Sequence, residues 1–192
     1  SWKTGMVPFR ALLVYKSQVL QAGQKFPLIS VNTLTGEKLE LSKPAQGFDW
    51  RMLVVYRGKH CPLCTKYLNE LNELLPEFNA LGVDIVAVSS DSLERAKSQL
   101  AEVNPHFEVG YDLSIEQMKA LGLYISEPRL GMNAERPFAE PGLFVINENG
   151  ELQMIDISNV PFARPPLASM LMGIRYYRGM TEKFPINGSY NS

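Results

Sequence analysis

The chain has 192 residues, 45% of them hydrophobic, which suits one globular domain with a sizeable core. Nineteen basic against twenty acidic residues leave a net charge of -1, so no broad basic field exists to attract nucleic acid or an anionic membrane surface. No apolar run approaches the roughly 18 residues of a membrane-spanning helix, and SWKTGMVPFRALLVYKSQVLQ lacks the uninterrupted apolar segment and cleavage site of a signal peptide. A soluble, cytoplasmic protein is expected.

In chain order, Pro8 followed by Phe9, Leu12, Leu13, Val19 and Leu20 predicts an amphipathic helical extension over residues 1–21. A single domain over residues 22–182 follows. It opens with GQKFPLISVNTLTGEKLELS, two strand-like runs about the turn signal Thr35-Gly36, and so with a hairpin. Met52 to Tyr56 (MLVVY) reads as a strand buried on both faces. From Leu63 to Leu81 the pattern becomes helical, with Tyr67, Leu68, Leu71, Leu74, Leu75 and Phe78 on one side. Val83 to Val88 is a second buried strand, and Ser92 to Val103 a second helix with Asp91 or Ser90 as its expected cap. This alternation calls for parallel strands joined by a right-handed crossover.

HFEVGYD then predicts a strand, and Ser114 to Leu121 a short helix. Ile125 to Pro141 carries three prolines and no periodicity, so it reads as a long loop of the kind that is often functional. Leu143 to Ile146 and Glu151 to Ile157 flank Asn149-Gly150, which predicts an antiparallel hairpin. A last helix, Pro166 to Arg178, precedes a polar tail over residues 183–192 that is expected to fray.

The chemistry concentrates in YRGKHCPLCTKYLNEL, which holds the chain's two cysteines, Cys61 and Cys64, at the end of a strand. A helix that begins at Pro62 makes Cys61 its N-cap and puts Cys64 in the first turn. Both sulfurs then lie near free backbone N–H groups and the positive end of the helix dipole, which favour a thiolate. The pair can cycle between dithiol and disulfide. A zinc site lacks ligands, because His60 and His106 are the only histidines and His60 directly abuts Cys61. A purely structural disulfide gains little from closing so short a loop. His60 is a candidate to stabilise a thiolate, and His106 reads as a surface loop residue.

With GQKFPLISVNTLTGEKLELS, MLVVYRGKHCPLCTKYLNEL, VDIVAVSSDS and PGLFVINENGEL in that order, the chain resembles the peroxiredoxin-like (AhpC/TSA) branch of the thioredoxin-fold superfamily, in a CxxC-containing subgroup. The similarity covers roughly Ala22 to Ile157. It implies an α/β thioredoxin-like fold: a central mixed β-sheet flanked by helices, with the CxxC at the first turn of a long helix.

Two departures from the peroxiredoxin pattern bear on function. On the peroxiredoxin motif PxxxTxxC, Cys64 takes the place of the peroxide-attacking cysteine, Cys61 that of the threonine and Arg57 that of the proline. Pro141 stands where peroxiredoxins carry the arginine that polarises peroxide. Such donors are worth several kcal/mol, about 2.7 to 4 kcal/mol each in a hydrolase. Arg57, Lys59 and Arg136 are the candidate substitutes.

Both departures resemble thioredoxins, which carry a CxxC at this place and a cis-proline before the strand corresponding to Leu143–Ile146. The resemblance therefore implies a cis Pro141 that aligns the partner, the alternative being an ordinary trans proline that ends the loop.

The leading expectation is a thiol-disulfide oxidoreductase in which Cys61, the more exposed sulfur, attacks and Cys64 resolves. The alternatives are a thiol-dependent hydroperoxide reductase, with Cys64 peroxidatic and Cys61 resolving, and a redox-sensing interaction module. No cofactor or metal is expected. The expected partners are a disulfide-bearing protein or a small thiol or hydroperoxide, an external thiol reductant and a second copy in a homodimer, with neither nucleic acid nor membrane.

Overall fold

Six consecutive buried residues, WRMLVV, make β3 (Trp50–Val55) the natural centre of a sheet covered on both faces. A computed structural model describes residues 19–190 of the chain. The strands before β3 are β1 (Ser30–Thr33) and β2 (Lys38–Glu40), which form the expected antiparallel hairpin. After β3 come α1 (Pro62–Ala80), β4 (Val83–Val88), α2 (Leu93–Val103), β5 (Glu108–Tyr111) and α3 (Ile115–Ala120). The remaining elements are β6 (Ile125–Ser126), β7 (Phe138–Ala139), β8 (Gly142–Ile146), β9 (Leu152–Ile157) and α4 (Leu167–Arg178).

Seven strands build one sheet in the order β2-β1-β5-β4-β3-β8-β9, parallel at β3–β4 and β4–β5 and antiparallel elsewhere. Residue alternation divides its two faces. Met52, Val54, Ile85, Ala87, Leu143 and Val145 point to one core with Leu68, Leu71 and Phe78 of α1, Leu100 of α2 and Leu171 and Ile174 of α4. Leu53, Val55, Val86, Val88, Phe144 and Ile146 point to the other, with Met118 of α3 and Phe26, Ile29 and Leu41 of the N-terminal hairpin region. Buried Arg51 breaks the apolar run of β3; its guanidinium donates to Asp84 at 2.7 Å and to the carbonyls of Glu40 and Leu41.

Several boundaries differ from expectation. The N-terminal helix lies outside the described residues except for its end, Val19 to Gln21, which is not helical. Helix α2 is capped by Ser92, whose oxygen accepts from the Arg95 N–H, because Asp91 is buried and engaged elsewhere. The stretch from Ile125 to Pro141 is not a plain loop, since its two ends pair as β6 and β7. Nor does the described part of the tail splay outward: Phe184 stacks on Tyr177 with centroids 3.8 Å apart, and Asn187 Nδ2 donates to the Tyr177 hydroxyl at 3.1 Å. Among the described residues no helix is long and apolar enough to cross a membrane.

Candidate active site

Strand β3 delivers the chain to a turn, Arg57 to His60, that ends at Cys61. Gly58 holds φ +133°, and a Cβ there would lie 2.7 Å from Asp91 Oδ2, so only glycine fits. Asp91 Oδ2 accepts from the Lys59 N–H at 2.7 Å, and Gln99 Nε2 donates to the Gly58 carbonyl at 3.1 Å and to Thr65 Oγ1 at 3.0 Å. The turn is thereby fastened to Gln99 of α2 and to Asp91 in the segment just before that helix.

Helix α1 starts as the sequence predicts. Cys61 is its N-cap and Pro62 its first residue, and the Cys61 sulfur accepts from the Cys64 N–H at 3.3 Å. The cysteines are unpaired thiols. The expected contrast in exposure is slight, 2% for Cys61 and 0% for Cys64. What separates them is charge. A hydrogen bond from the Cys64 thiol lowers the Cys61 pKa against the opposing effect of burial, helped by the Cys64 N–H, Arg57 and Arg164, to about 6. Cys64 is pushed well above the ordinary thiol range by burial first and by its bond to Cys61 second. The two shifts run in opposite directions, favouring a thiolate at Cys61 and a thiol at Cys64.

Arg57 is buried and held from the far side by Glu140, whose carboxylate oxygens lie 2.8 and 3.1 Å from Nε. Its guanidinium carbon lies 4.9 Å from the centre of the Phe138 ring. Glu140 and Phe138 come from the β7 end of the long loop, so pairing of β6 with β7 brings these two residues to the cysteines. Of the other two candidate cations, Lys59 points to solvent and Arg136 pairs with Asp112 at 2.8 Å. Sequence reasoning missed Arg164, whose Nη2 lies 3.2 Å from Cys64 Sγ. The signal present was an arginine framed by Pro161, Pro165 and Pro166, residues that stiffen a turn.

The His60 ring packs tilted against Phe138, centroids 4.3 Å apart at 57°, with both ring nitrogens buried and unpartnered among the described residues. Burial first and Arg57 second push its pKa down, so it is neutral at pH 7 and supplies no charge to a thiolate. His106 is an exposed loop residue, as expected. Pro141 follows Glu140 directly and, with Arg164 and Tyr67, lines a small cavity of about 10 Å³. No peptide bond among the described residues is cis, so Pro141 is trans and the cis expectation is corrected: the sheet register from Gly142 onward is reached without it. The exposed Leu63 and Phe162 flank an open groove of about 220 Å³ that Tyr67 and Arg164 also line.

Three comparisons bear on this arrangement. The AhpC/TSA family matches residues 22–155. Thiol-disulfide oxidoreductase ResA of Bacillus thuringiensis subsp. konkukian is 29% identical over 109 residues, covering 56% of this chain and 61% of that protein. The chain thus spans about three fifths of the length of that relative. Among solved structures, a peroxiredoxin 6 of Arenicola marina superposes with a TM-score of 0.69 at 20% identity, over 81% of this chain and 72% of the other. A putative thiol:disulfide interchange protein DsbE from Chlorobium tepidum gives 0.61 at 21% identity, over 81% of this chain and 98% of the other. The match over residues 22–155, with the mixed sheet and the CxxC at the head of α1, shows that the chain belongs to the AhpC/TSA family and has the thioredoxin-like fold of its peroxiredoxin-like members.

Proposed function

We propose that the chain is a thiol-disulfide oxidoreductase in which Cys61 attacks and Cys64 resolves. One observation carries this reading: Cys61 caps α1 with its sulfur accepting the Cys64 N–H at 3.3 Å, an arrangement that draws Cys61 toward thiolate while burial keeps Cys64 a thiol. An attacking thiol must be ionised while its resolving partner keeps its proton until the mixed disulfide has formed. The Cys61 thiolate attacks one sulfur of a substrate disulfide, whose other sulfur departs as a thiolate. Cys64 then attacks Cys61, closing the protein disulfide and releasing the second substrate thiol. An external thiol returns the pair to the dithiol. No cofactor enters these steps.

The hydroperoxide alternative assigns first attack to Cys64, the fully buried sulfur that keeps its proton at neutral pH, and Pro141 brings no guanidinium in place of the peroxiredoxin arginine. Substrate, reductant, a homodimeric state and a cytoplasmic location belong to the proposal.

The test is turnover of a disulfide protein such as insulin beside stopped-flow oxidation by hydrogen peroxide. We expect insulin reduction that Cys61→Ser abolishes, with peroxide oxidation no faster than that of an ordinary low-pKa thiol. Fast peroxide oxidation that only Cys64→Ser removes would reverse the assignment in favour of the peroxidase.

A further inference from the structure

Cys64, with 0% exposure, must surrender a proton where burial opposes a thiolate, so its charge needs a compensating group close by. Two guanidinium groups serve the two sulfurs, and they differ in one respect. Arg57 is neutralised by Glu140 at 2.8 Å. Arg164 makes no ion pair with any carboxylate among the described residues.

Arg164 lies in the turn between β9 and α4, and its whole hydrogen-bonding capacity is visible. Nε donates to the Pro161 carbonyl at 2.9 Å, Nη2 reaches Cys64 Sγ at 3.2 Å, and Nη1 is buried with no partner. Its guanidinium carbon sits 4.9 Å from the centre of the Tyr67 ring, and the Tyr67 hydroxyl donates to the Pro165 carbonyl at 2.6 Å, which fixes the turn against α1. A partly buried cation without a counter-ion is unfavourable, and the acceptor it faces is the Cys64 sulfur.

The two stages of the reaction differ in what surrounds that sulfur. In the dithiol, the Cys64 thiol donates to Cys61, and the negative charge on Cys61 holds the Cys64 proton in place. Once Cys61 is tied into a mixed disulfide, both influences disappear. Only burial then opposes ionisation of Cys64, and the Arg164 charge favours it.

We infer that Arg164 is a catalytic residue of the second half-reaction, its guanidinium carrying the charge of Cys64 as that sulfur attacks the mixed disulfide at Cys61. The inference rests on the reading of Cys61 as the attacking thiol. In this step Cys64 S–H releases its proton to solvent and its electron pair forms the Cys64–Cys61 bond. The bond from Cys61 to the substrate sulfur breaks, and the substrate leaves as a thiolate that takes up a proton from solvent. The two cysteines are oxidised together to the disulfide, and the substrate sulfur is reduced.

The experiment uses the full reduced chain and dithiodipyridine, a neutral disulfide that releases a coloured thione at attack by Cys61 and a second at resolution by Cys64. In stopped flow, Arg164→Met is expected to slow the first release little and the second at least about tenfold, with the mixed disulfide trapped by acid quench and seen by mass. Its second phase requires higher pH than that of wild type, and Arg164→Lys restores part of the rate. Arg175→Met removes an exposed guanidinium of α4 that pairs with Glu77 and touches neither sulfur, so it should spare the second phase. An unchanged second phase in Arg164→Met, or equal slowing in Arg175→Met, overturns the inference. A first release that survives Cys61→Ser instead overturns the reading on which it rests.

Discussion

With its pKa held at about 6, the Cys61 thiol is roughly nine-tenths ionised at pH 7, while Cys64 keeps its proton. This difference makes the stability of the dithiol form depend on pH with a definite sign. In the unfolded chain both thiols titrate near 8.5. Between about pH 6 and about 8.5 the unfolded chain binds one more proton at Cys61 than the folded one, so stability rises with pH across that window and is lost as pH falls through 6. Above about 8.5 the unfolded Cys64 ionises and the folded one does not, so the trend reverses. Urea unfolding of the reduced protein across this range is expected to show the rise. The disulfide form and Cys61→Ser should lack it, and Arg57→Met should narrow it by moving the Cys61 titration upward.

At the scale of elements, the site depends on how α1 begins. Its first turn was legible because a proline that follows a capping side chain is a local signal. The turn before it was not, because its geometry is set by contacts from the β4–α2 connection and from α2 itself: Asp91 on the Lys59 N–H and Gln99 on the Gly58 carbonyl. Gly58→Ala forces a side chain into the φ +133° region and against Asp91. We expect a loss of about 1 to 3 kcal/mol in urea unfolding, together with slower attack by Cys61, because the N-cap residue moves with the turn. The same reasoning explains Asp91, which looked like a helix cap in the sequence: its carboxylate is spent on the cysteine turn, and Ser92 takes the cap.

On the scale of the whole molecule, the C-terminal end of α4 and the described tail cover the sheet at the other end of β3 from the cysteines. Arg178 bridges Asp49 at 2.6 Å and lies over Trp50, while Lys183 meets Glu148 at 3.2 Å. The Phe184 stack on Tyr177 completes this surface. Removing residues 183–192 should lower stability by about 1 to 2 kcal/mol, the worth of an aromatic pair and one exposed ion pair. The Cys61 titration should stay unchanged, because these contacts sit at the other end of the sheet. A shift in that titration would mean that the tail and the CxxC are coupled.

The buried strands and the helix that starts between the cysteines were legible before any fold was known, because each rests on spacing within a few residues; the family resemblance rests on four segments over roughly Ala22 to Ile157. Apolar runs, a proline after a cap and Asn149-Gly150 act locally and keep their meaning in most contexts. Which side chains meet the sulfurs depends on packing between distant segments. Arg57 reaches Glu140 across 83 positions and Arg164 reaches Cys64 across 100. Pairing of β6 with β7 and the proline-framed turn before α4 bring them there. Charges so far apart in sequence become neighbours only when the sheet closes, and the hydrogen bonds and charges around Cys61 then favour its ionisation against the opposing effect of burial.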